Sequence, residues 1–164
     1  MASTAANDNS NGAMHELGFY TLPGAPKSPR DLLAEVRDAE ALGLGACFIS
    51  ERFNIKEAAT ISGAVGAVSQ RLGIATAATN HNTRHPIVTA AYASTMHFLT
   101  GGRFALGLGR GIDSMFAAFG LPRVKTAQLE DFAQLMRRLW RGENPRSSRP
   151  GRQLARAATR SGVR

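Results

Sequence analysis

The sequence predicts an α/β fold built on a parallel sheet. Three observations predict it. Short apolar segments of strand composition alternate strictly with longer segments of helical periodicity, four times along the chain. Glycine, proline and asparagine fall at the joints, where turns and helix ends need them. The 164 residues are 43% hydrophobic, enough for a substantial core and too much for a largely disordered chain.

The first strand is expected over residues 16–22, where Leu17, Phe19 and Tyr20 suit a pleated, buried segment. Pro23-Gly24-Ala25-Pro26 breaks it. Ser28-Pro29-Arg30-Asp31 is a helix start: a capping hydroxyl, a proline at the first position and an acid at the positive end of the dipole. Leu32, Leu33, Val36, Ala39 and Leu42 follow at helical spacing, and Gly43 is a helix stop. The second strand, Ala46 to Ser50, reads as an apolar run buried on both faces. A helix over residues 57–70 carries Gly63 and Gly66, which weaken it but allow close approach to a sheet. The third strand is expected over residues 72–78. After the polar run Thr79–His85, Pro86 opens a helix that continues over Ile87–Leu99. The fourth strand is expected over residues 103–108, followed by helical pieces near Ser114–Phe119 and Thr126–Arg141. Leu129, Phe132, Leu135, Met136, Leu139 and Trp140 form the apolar stripe of the last helix.

Alternation of this kind implies right-handed crossovers. Four units suit either a small doubly wound sheet or half of an eight-stranded barrel. In both, function sits beyond the carboxyl ends of the strands. That rule selects the loops Thr21–Lys27, Glu51–Lys56, Thr79–His85 and Gly109–Asp113.

Gly107-Leu108-Gly109-Arg110-Gly111 leaves a strand and leads toward a helix, so its amides suit a phosphate or a flat ring; a tight turn accounts for the glycines equally well. It lacks the spacing of a nicotinamide-binding fingerprint, and no acid follows at the end of the next strand. Thr79 to His85 places seven hydrogen-bonding side chains in a row, suited to a cofactor or an anion, or to a solvated loop. His81 and His85 precede Pro86 and share no helical face, which disfavours a metal site. Glu51 suits a proton-moving or substrate-orienting role and Arg52 an anion contact; an ion pair between these neighbours is the plain alternative. His97 reads as a packing or surface residue. Cys47, the one cysteine, reads as buried and inert.

Four segments together resemble the luciferase-like monooxygenase superfamily, and within it the deazaflavin-dependent oxidoreductases that include methylenetetrahydromethanopterin reductase. They are Ala39-Glu40-Ala41-Leu42-Gly43 with Ile49-Ser50-Glu51-Arg52-Phe53, Leu72 to Asn80 with Thr83-Arg84-His85-Pro86, Gly101 to Gly111, and Phe119-Gly120-Leu121-Pro122 with Leu129-Glu130-Asp131 and Leu139 to Glu143. The resemblance implies a (β/α)8 TIM-barrel family fold, of which about four units are present. It implies coenzyme F420, or alternatively FMN, at the carboxyl ends of the strands. The expected chemistry is hydride transfer with a small-molecule substrate, or FMN-dependent monooxygenation. It assigns cofactor contacts to Thr79 and Asn80, a non-proline cis peptide near Thr76-Ala77, and a cofactor-facing loop at Gly109, Arg110 and Gly111. Two positions depart from the pattern. Glu51-Arg52 stands where many relatives have Asp-His, and Ile112 separates Gly111 from the acid Asp113. Glu51, Arg52 and Asp113 are therefore the candidate catalytic residues.

A complete barrel needs ~250 residues. The expected organisation is a disordered segment over 1–14, half of a luciferase-like barrel over 15–143, and a disordered Arg-rich tail over 144–164. Residues 1–144 carry 14 basic and all 12 acidic side chains, a balance of +2. Residues 145–164 carry six arginines and no acid, and so +6 of the net +8. The tail reads as a frameshifted or truncated end of a longer gene. A nucleic-acid arm is disfavoured because no aromatic residue interleaves the arginines. Open strand edges invite a homodimer, or leave an inert fragment without the barrel's phosphate site. A single cysteine, no membrane-length apolar run and no signal-peptide pattern suit the cytoplasm.

Overall fold

The structure is a computed structural model that describes residues 14–143. The segments 1–13 and 144–164, and with them the expected tail, lie outside the described residues. Four parallel strands form one sheet in the order β1 (Gly18–Tyr20), β2 (Ala46–Ile49), β3 (Gly73–Thr76) and β4 (Phe104–Ala105). Between and after them run α1 (Leu32–Ala41), α2 (Ala58–Val68), α3 (Pro86–Leu99), α4 (Asp113–Ala118) and α5 (Thr126–Trp140). Each strand is added to the same edge as the last. With right-handed crossovers that order places successive helices on one face of the sheet. A doubly wound sheet needs a reversal of strand order, and the described strands contain none.

One-sided covering decides the burial pattern. Cys47, Ile49, Ile74 and Thr76 point into the helical layer and are buried. The main core joins Cys47, Ile49 and Ile74 to Leu22, Leu32, Val36, Ala58, Ile61, Val65, Leu72 and Met96. The other face is open: Tyr20 of β1 is 40% exposed and Phe48 of β2 is 38% exposed, and the two are paired in register. The expectation that β2 is buried on both faces is therefore corrected. Its apolar alternate face lies where a closed barrel has its interior.

Local chemistry sets the element ends. Ser28 caps a 3-10 turn, Pro29–Asp31, with its hydroxyl accepting from Arg30 N at 3.1 Å, and Asp31 accepts from Ser28 N at 3.3 Å. Gly43 takes φ +72° just after α1, the left-handed conformation that a helix stop requires. Glu57 precedes α2 and accepts from Thr60 N at 2.7 Å. His85 performs the same service for α3, its Nδ1 accepting from Ile87 N at 3.2 Å. The glycines of α2 do not face the sheet: a Cβ at Gly66 would meet Met96 of α3 and Thr100 just past its end, and one at Gly63 would meet open space. A second small core, Ala90, Phe132 and Met136 with Leu108, Leu135 and Leu139, seats α5 on α3, and Trp140 Nε1 donates to Ala90 O at 3.2 Å.

At the amino end of the strands, Glu40 holds the turn from α2 to β3. Its Oε1 accepts from Ser69 Oγ at 2.8 Å, Gln70 N at 2.8 Å and Arg71 N at 2.7 Å. Arg103 closes the same turn from β4's side, donating to Leu72 O at 2.6 Å and Ser69 O at 2.9 Å. This end is a stability face, and it leaves the opposite end for function.

Candidate functional site

The carboxyl ends of β2 and β3 are laced together. Ala77 N donates to Ile49 O at 2.6 Å, and Glu51 N donates to Ala78 O at 3.2 Å. The ends of β3 and β4 are joined likewise. Thr79 N donates to Gly107 O at 3.0 Å, and Gly109 N donates to Thr79 O at 2.8 Å. Thr76 Oγ1 donates to Gly107 O and accepts from Gly107 N, each at 2.8 Å. A Cβ at Gly107 would collide with the Thr76 carbonyl, and one at Gly109 would lie 3.1 Å from Ala78 Cβ. Glycine is what lets these two backbones approach. The cis peptide joins Ala77 to Ala78, one bond beyond the expected Thr76-Ala77 position.

On this frame sits a charged network. The Glu51 side chain is only 8% exposed. Its Oε1 accepts from Ala58 N at 3.1 Å, at the first residue of α2, where the helix dipole favours an anion. Its Oε2 accepts from Thr79 Oγ1 at 2.6 Å and from Arg84 Nη2 at 2.9 Å. Arg84 also donates through Nη1 to Thr79 Oγ1 at 2.9 Å, and its Nη2 pairs with Glu57. Burial opposes the Arg84 charge, but the two carboxylates outweigh it and raise the guanidinium's affinity for its proton. Burial likewise opposes the Glu57 charge, and the Thr60 and Arg84 donors outweigh it, lowering that carboxyl. A recess of about 190 Å³ opens over Glu51, Phe53, Glu57, Thr83 and Arg84. It is smaller than the ~300–1,000 Å³ of a whole ligand pocket.

The structure thus brings Glu51, Thr76, Thr79 and Gly109 into one connected rim. Asn80 adjoins them, its Oδ1 accepting from Thr83 N at 3.1 Å and Thr83 Oγ1 at 2.9 Å. Ala77 is exposed beside the cis bond, and Arg110 and Gly111 are exposed in the next loop. Arg52 is drawn away from Glu51. Its guanidinium donates to Gly24 O, and its backbone pairs with Lys56. The expected ion pair between neighbours is replaced by the pair Glu51–Arg84. Asp113 begins α4, where it is 52% exposed and pairs with Arg123 at 2.8 Å. His81 stacks on Phe132 of α5 at 5.0 Å, and burial lowers its proton affinity. His97 is exposed, and Cys47 is fully buried with its thiol pushed up to about 12 by desolvation. Among the described residues, no group of three or more His, Cys, Asp or Glu could hold a metal ion.

Sequence reasoning missed Arg84 as the hub and Lys56 as a buried cation. Arg84 stands in the segment Thr83-Arg84-His85-Pro86, so its position is visible in the sequence and its partners are not. Lys56 gave no signal, because lysine is almost never fully buried.

A flat ring system fits part of this rim. Gly109 lies against Ala78, whose Cβ is 3.1 Å from where a Cβ at Gly109 would stand, so this part of the rim carries little side-chain bulk, as a flat ring needs. The hydroxyls of Thr76 and Thr79 are already engaged within the protein, so they hold the backbone in place rather than offering free donors. A one-sided parallel α/β sheet with its polar network at the carboxyl ends is the architecture of a barrel enzyme cut to four units. The sequence model of the luciferase-like monooxygenase family matches residues 6–161, and the chain belongs to that family.

Similar proteins sharpen this. The chain is 31% identical over 129 residues to the F420-dependent glucose-6-phosphate dehydrogenase of Beutenbergia cavernae, covering 71% of this chain and 38% of that protein. It is 27% identical over 105 residues to the 5,10-methylenetetrahydromethanopterin reductase of Methanopyrus kandleri, covering 64% of this chain and 30% of that one. The solved structure of the coenzyme F420-dependent tetrahydromethanopterin reductase from Methanopyrus kandleri superposes with a TM-score of 0.58 at 26% identity, covering 65% of this chain and 30% of that one. The oxygenating constituent of 3,6-diketocamphane monooxygenase from Pseudomonas putida, solved with FMN, shares the fold at a TM-score of 0.67 and 19% identity, over 78% of this chain and 40% of that one. The chain therefore spans 30–38% of the length of the curated relatives it matches.

Proposed function

We propose that the chain forms the amino-terminal half of an F420-dependent oxidoreductase site, which moves a hydride between the deazaflavin and a small organic substrate. One observation carries the reading: the ends of β2, β3 and β4 are tied into a single rim, with only Ala78 packed against Gly109, beside the buried Glu51–Arg84–Thr79 network. The F420-dependent names of its relatives at 31% and 27% identity support deazaflavin over FMN. When bound, the deazaflavin supplies the hydride-accepting or hydride-donating carbon. The protein's part is to hold the strand ends rigid, hold Glu51 against Arg84, and present Ala77, Gly109 and Arg110 to the ring system. Among the described residues no helix is long and apolar enough to cross a membrane. A cytoplasmic location is part of the proposal.

Parallel titrations of the purified chain with F420 and with FMN, read by cofactor fluorescence, test it. Saturable micromolar binding of F420, weakened by Gly109→Val, is the expected result. Binding of FMN alone would favour a monooxygenase. Binding of neither would leave an inert barrel fragment and overturn the reading for this chain.

A further inference from the structure

The open face of the sheet carries a polar group that the proposed function leaves unused. Tyr20 is the last residue of β1, and 40% of its surface is exposed. Its hydroxyl donates to Ser50 Oγ, one residue past β2. Against the ring stands Lys56, 1% exposed, with its ammonium 4.3 Å from the ring centroid. That ammonium donates to Thr21 O at 2.8 Å and Leu22 O at 3.0 Å. The Arg52–Lys56 bridge folds the rim loop back so that the lysine enters there. An ammonium with two carbonyls and a ring face is fixed in place and cannot drift from the phenol.

The surrounding charges favour a phenolate. Lys56 and Arg52 are the cations that act on Tyr20. Burial lowers the proton affinity of Lys56, which Tyr20 and Glu35 of α1 oppose; Glu35 is engaged elsewhere, accepting from Thr21 Oγ1 at 2.5 Å and Leu22 N at 2.9 Å. Burial alone would raise the phenol, but the Ser50 hydrogen bond and the Lys56 charge outweigh it and bring Tyr20 below its ordinary value. The second tyrosine behaves oppositely. Tyr92 is half-buried in α3, donates to Ser62 Oγ at 2.9 Å, and is pushed up to about 12 by desolvation.

We propose that Tyr20 is a catalytic residue, the general acid that protonates the oxygen of a carbonyl substrate as hydride reaches its carbon. Ser50 and Lys56 are its positioning residues. The inference rests on the hydride-transfer reading and narrows its substrate class to carbonyl–alcohol pairs. In the reducing direction, hydride from a reduced deazaflavin or flavin forms the new C–H bond, and the C=O π pair moves onto oxygen. That oxygen takes the Tyr20 proton. The phenolate left behind accepts from Ser50 Oγ–H beside the Lys56 charge and regains a proton from water at its exposed edge. The carbonyl is reduced and the carrier oxidised by two electrons. In the reverse direction the phenolate removes the alcohol's proton.

The chain has only two tyrosines, so absorbance of tyrosinate resolves them without any cofactor. The expected curve has two steps, one below the ordinary value of about 10 and one near 12. Tyr20→Phe removes the lower step alone. Ser50→Ala moves it upward, and Lys56→Met does the same; because the lysine is a buried group whose loss can unfold the chain, Ser50→Ala is the deciding variant. A single step at or above about 10, or a lower step that survives Tyr20→Phe or ignores Ser50→Ala, overturns the proposal. The catalytic arm uses chain loaded with reduced F420 and cyclohexanone as the carbonyl probe. Tyr20→Phe is expected to slow single-turnover hydride transfer by ~100-fold or more while cofactor affinity holds. Equal rates in wild type and variant, or no transfer from bound reduced F420, overturn the acid role and the substrate class. A wild type that binds no cofactor removes the hydride-transfer reading and this catalytic step with it, while the two-step titration still stands.

Discussion

Replacing Glu51 by glutamine removes one charge at nearly constant shape. The carboxylate takes three protein donors within about 8% residual exposure, Ala58 N, Thr79 Oγ1 and Arg84 Nη2, and Arg84 Nη1 braces the network by donating to Thr79 Oγ1. An amide offers one acceptor oxygen, so its NH2 must face at least one of those donors. Breaking a buried pair by removing one partner costs ~3–5 kcal/mol. Arg84 keeps Glu57, which trims the expected loss for Glu51→Gln to roughly 2–3 kcal/mol. With an m-value of ~1–3 kcal/mol/M, the urea midpoint should fall by about 1–2 M at constant slope. Circular dichroism across a urea series for wild type, Glu51→Gln, Arg84→Met and the double variant then isolates the pair. A coupling of roughly 1–2 kcal/mol is expected for contacting groups. Additive losses, with coupling below ~0.3 kcal/mol, would refute the claim that these charges are joined in a buried network.

Three further outcomes follow from the same structure. Glu40's carboxyl is lowered because Arg71, Gln70 and Leu72 amides with Ser69 outweigh burial, and Glu57's is lowered as well. A depressed carboxyl stabilises above its unfolded value of about 4.3 and loses that contribution as pH falls through its folded value. Acid unfolding below about pH 4.3 should therefore be shallower in Glu40→Gln, which starts less stable at pH 7. Cys47, held protonated up to about 12, lowers stability progressively once pH exceeds the unfolded thiol's ~8.5; an aromatic disulfide reagent should label it only at the rate of unfolding, and rapid labelling of native chain would contradict its burial. Gly107→Ala places a Cβ on the Thr76 carbonyl, and thermal melts should show it losing far more stability than Gly63→Ala, whose Cβ meets open space.

Most of the fold was legible because each element is announced by local chemistry. The helix starts at Ser28–Asp31 and Pro86, and the stop at Gly43, need only their own sequence neighbourhood. Strand lengths were less legible. Residues 103–108 read as a strand, yet β4 is only Phe104–Ala105, since pairing depends on the partner strand's length and not on its own composition. β2 shows the same limit from another side. Ala46-Cys47-Phe48-Ile49 has the composition of a doubly buried strand, but which faces are covered depends on strand order, and strand order is not a property of any one segment.

The site divides along a similar line. Backbone positions at strand ends were found by counting: Thr79, Asn80 and Gly109 fall where the alternation rule puts a rim. Side-chain partners were not found, because they join residues 28 to 33 positions apart: Thr79 to Glu51, and Arg84 to Glu51. Arg52 and Lys56 show why. Both are cations in one rim loop, and sequence offers Arg52 as the neighbour of Glu51. A single backbone bridge between them sends Arg52 to Gly24 and Lys56 beneath Tyr20, leaving Glu51 to a cation from the next loop. The charges that govern this rim were therefore assigned by loop geometry. Arg52→Pro removes the Arg52 N–H that bonds to Lys56 O but keeps the Lys56 ammonium, and should move the lower tyrosinate absorbance step further than Arg84→Met does.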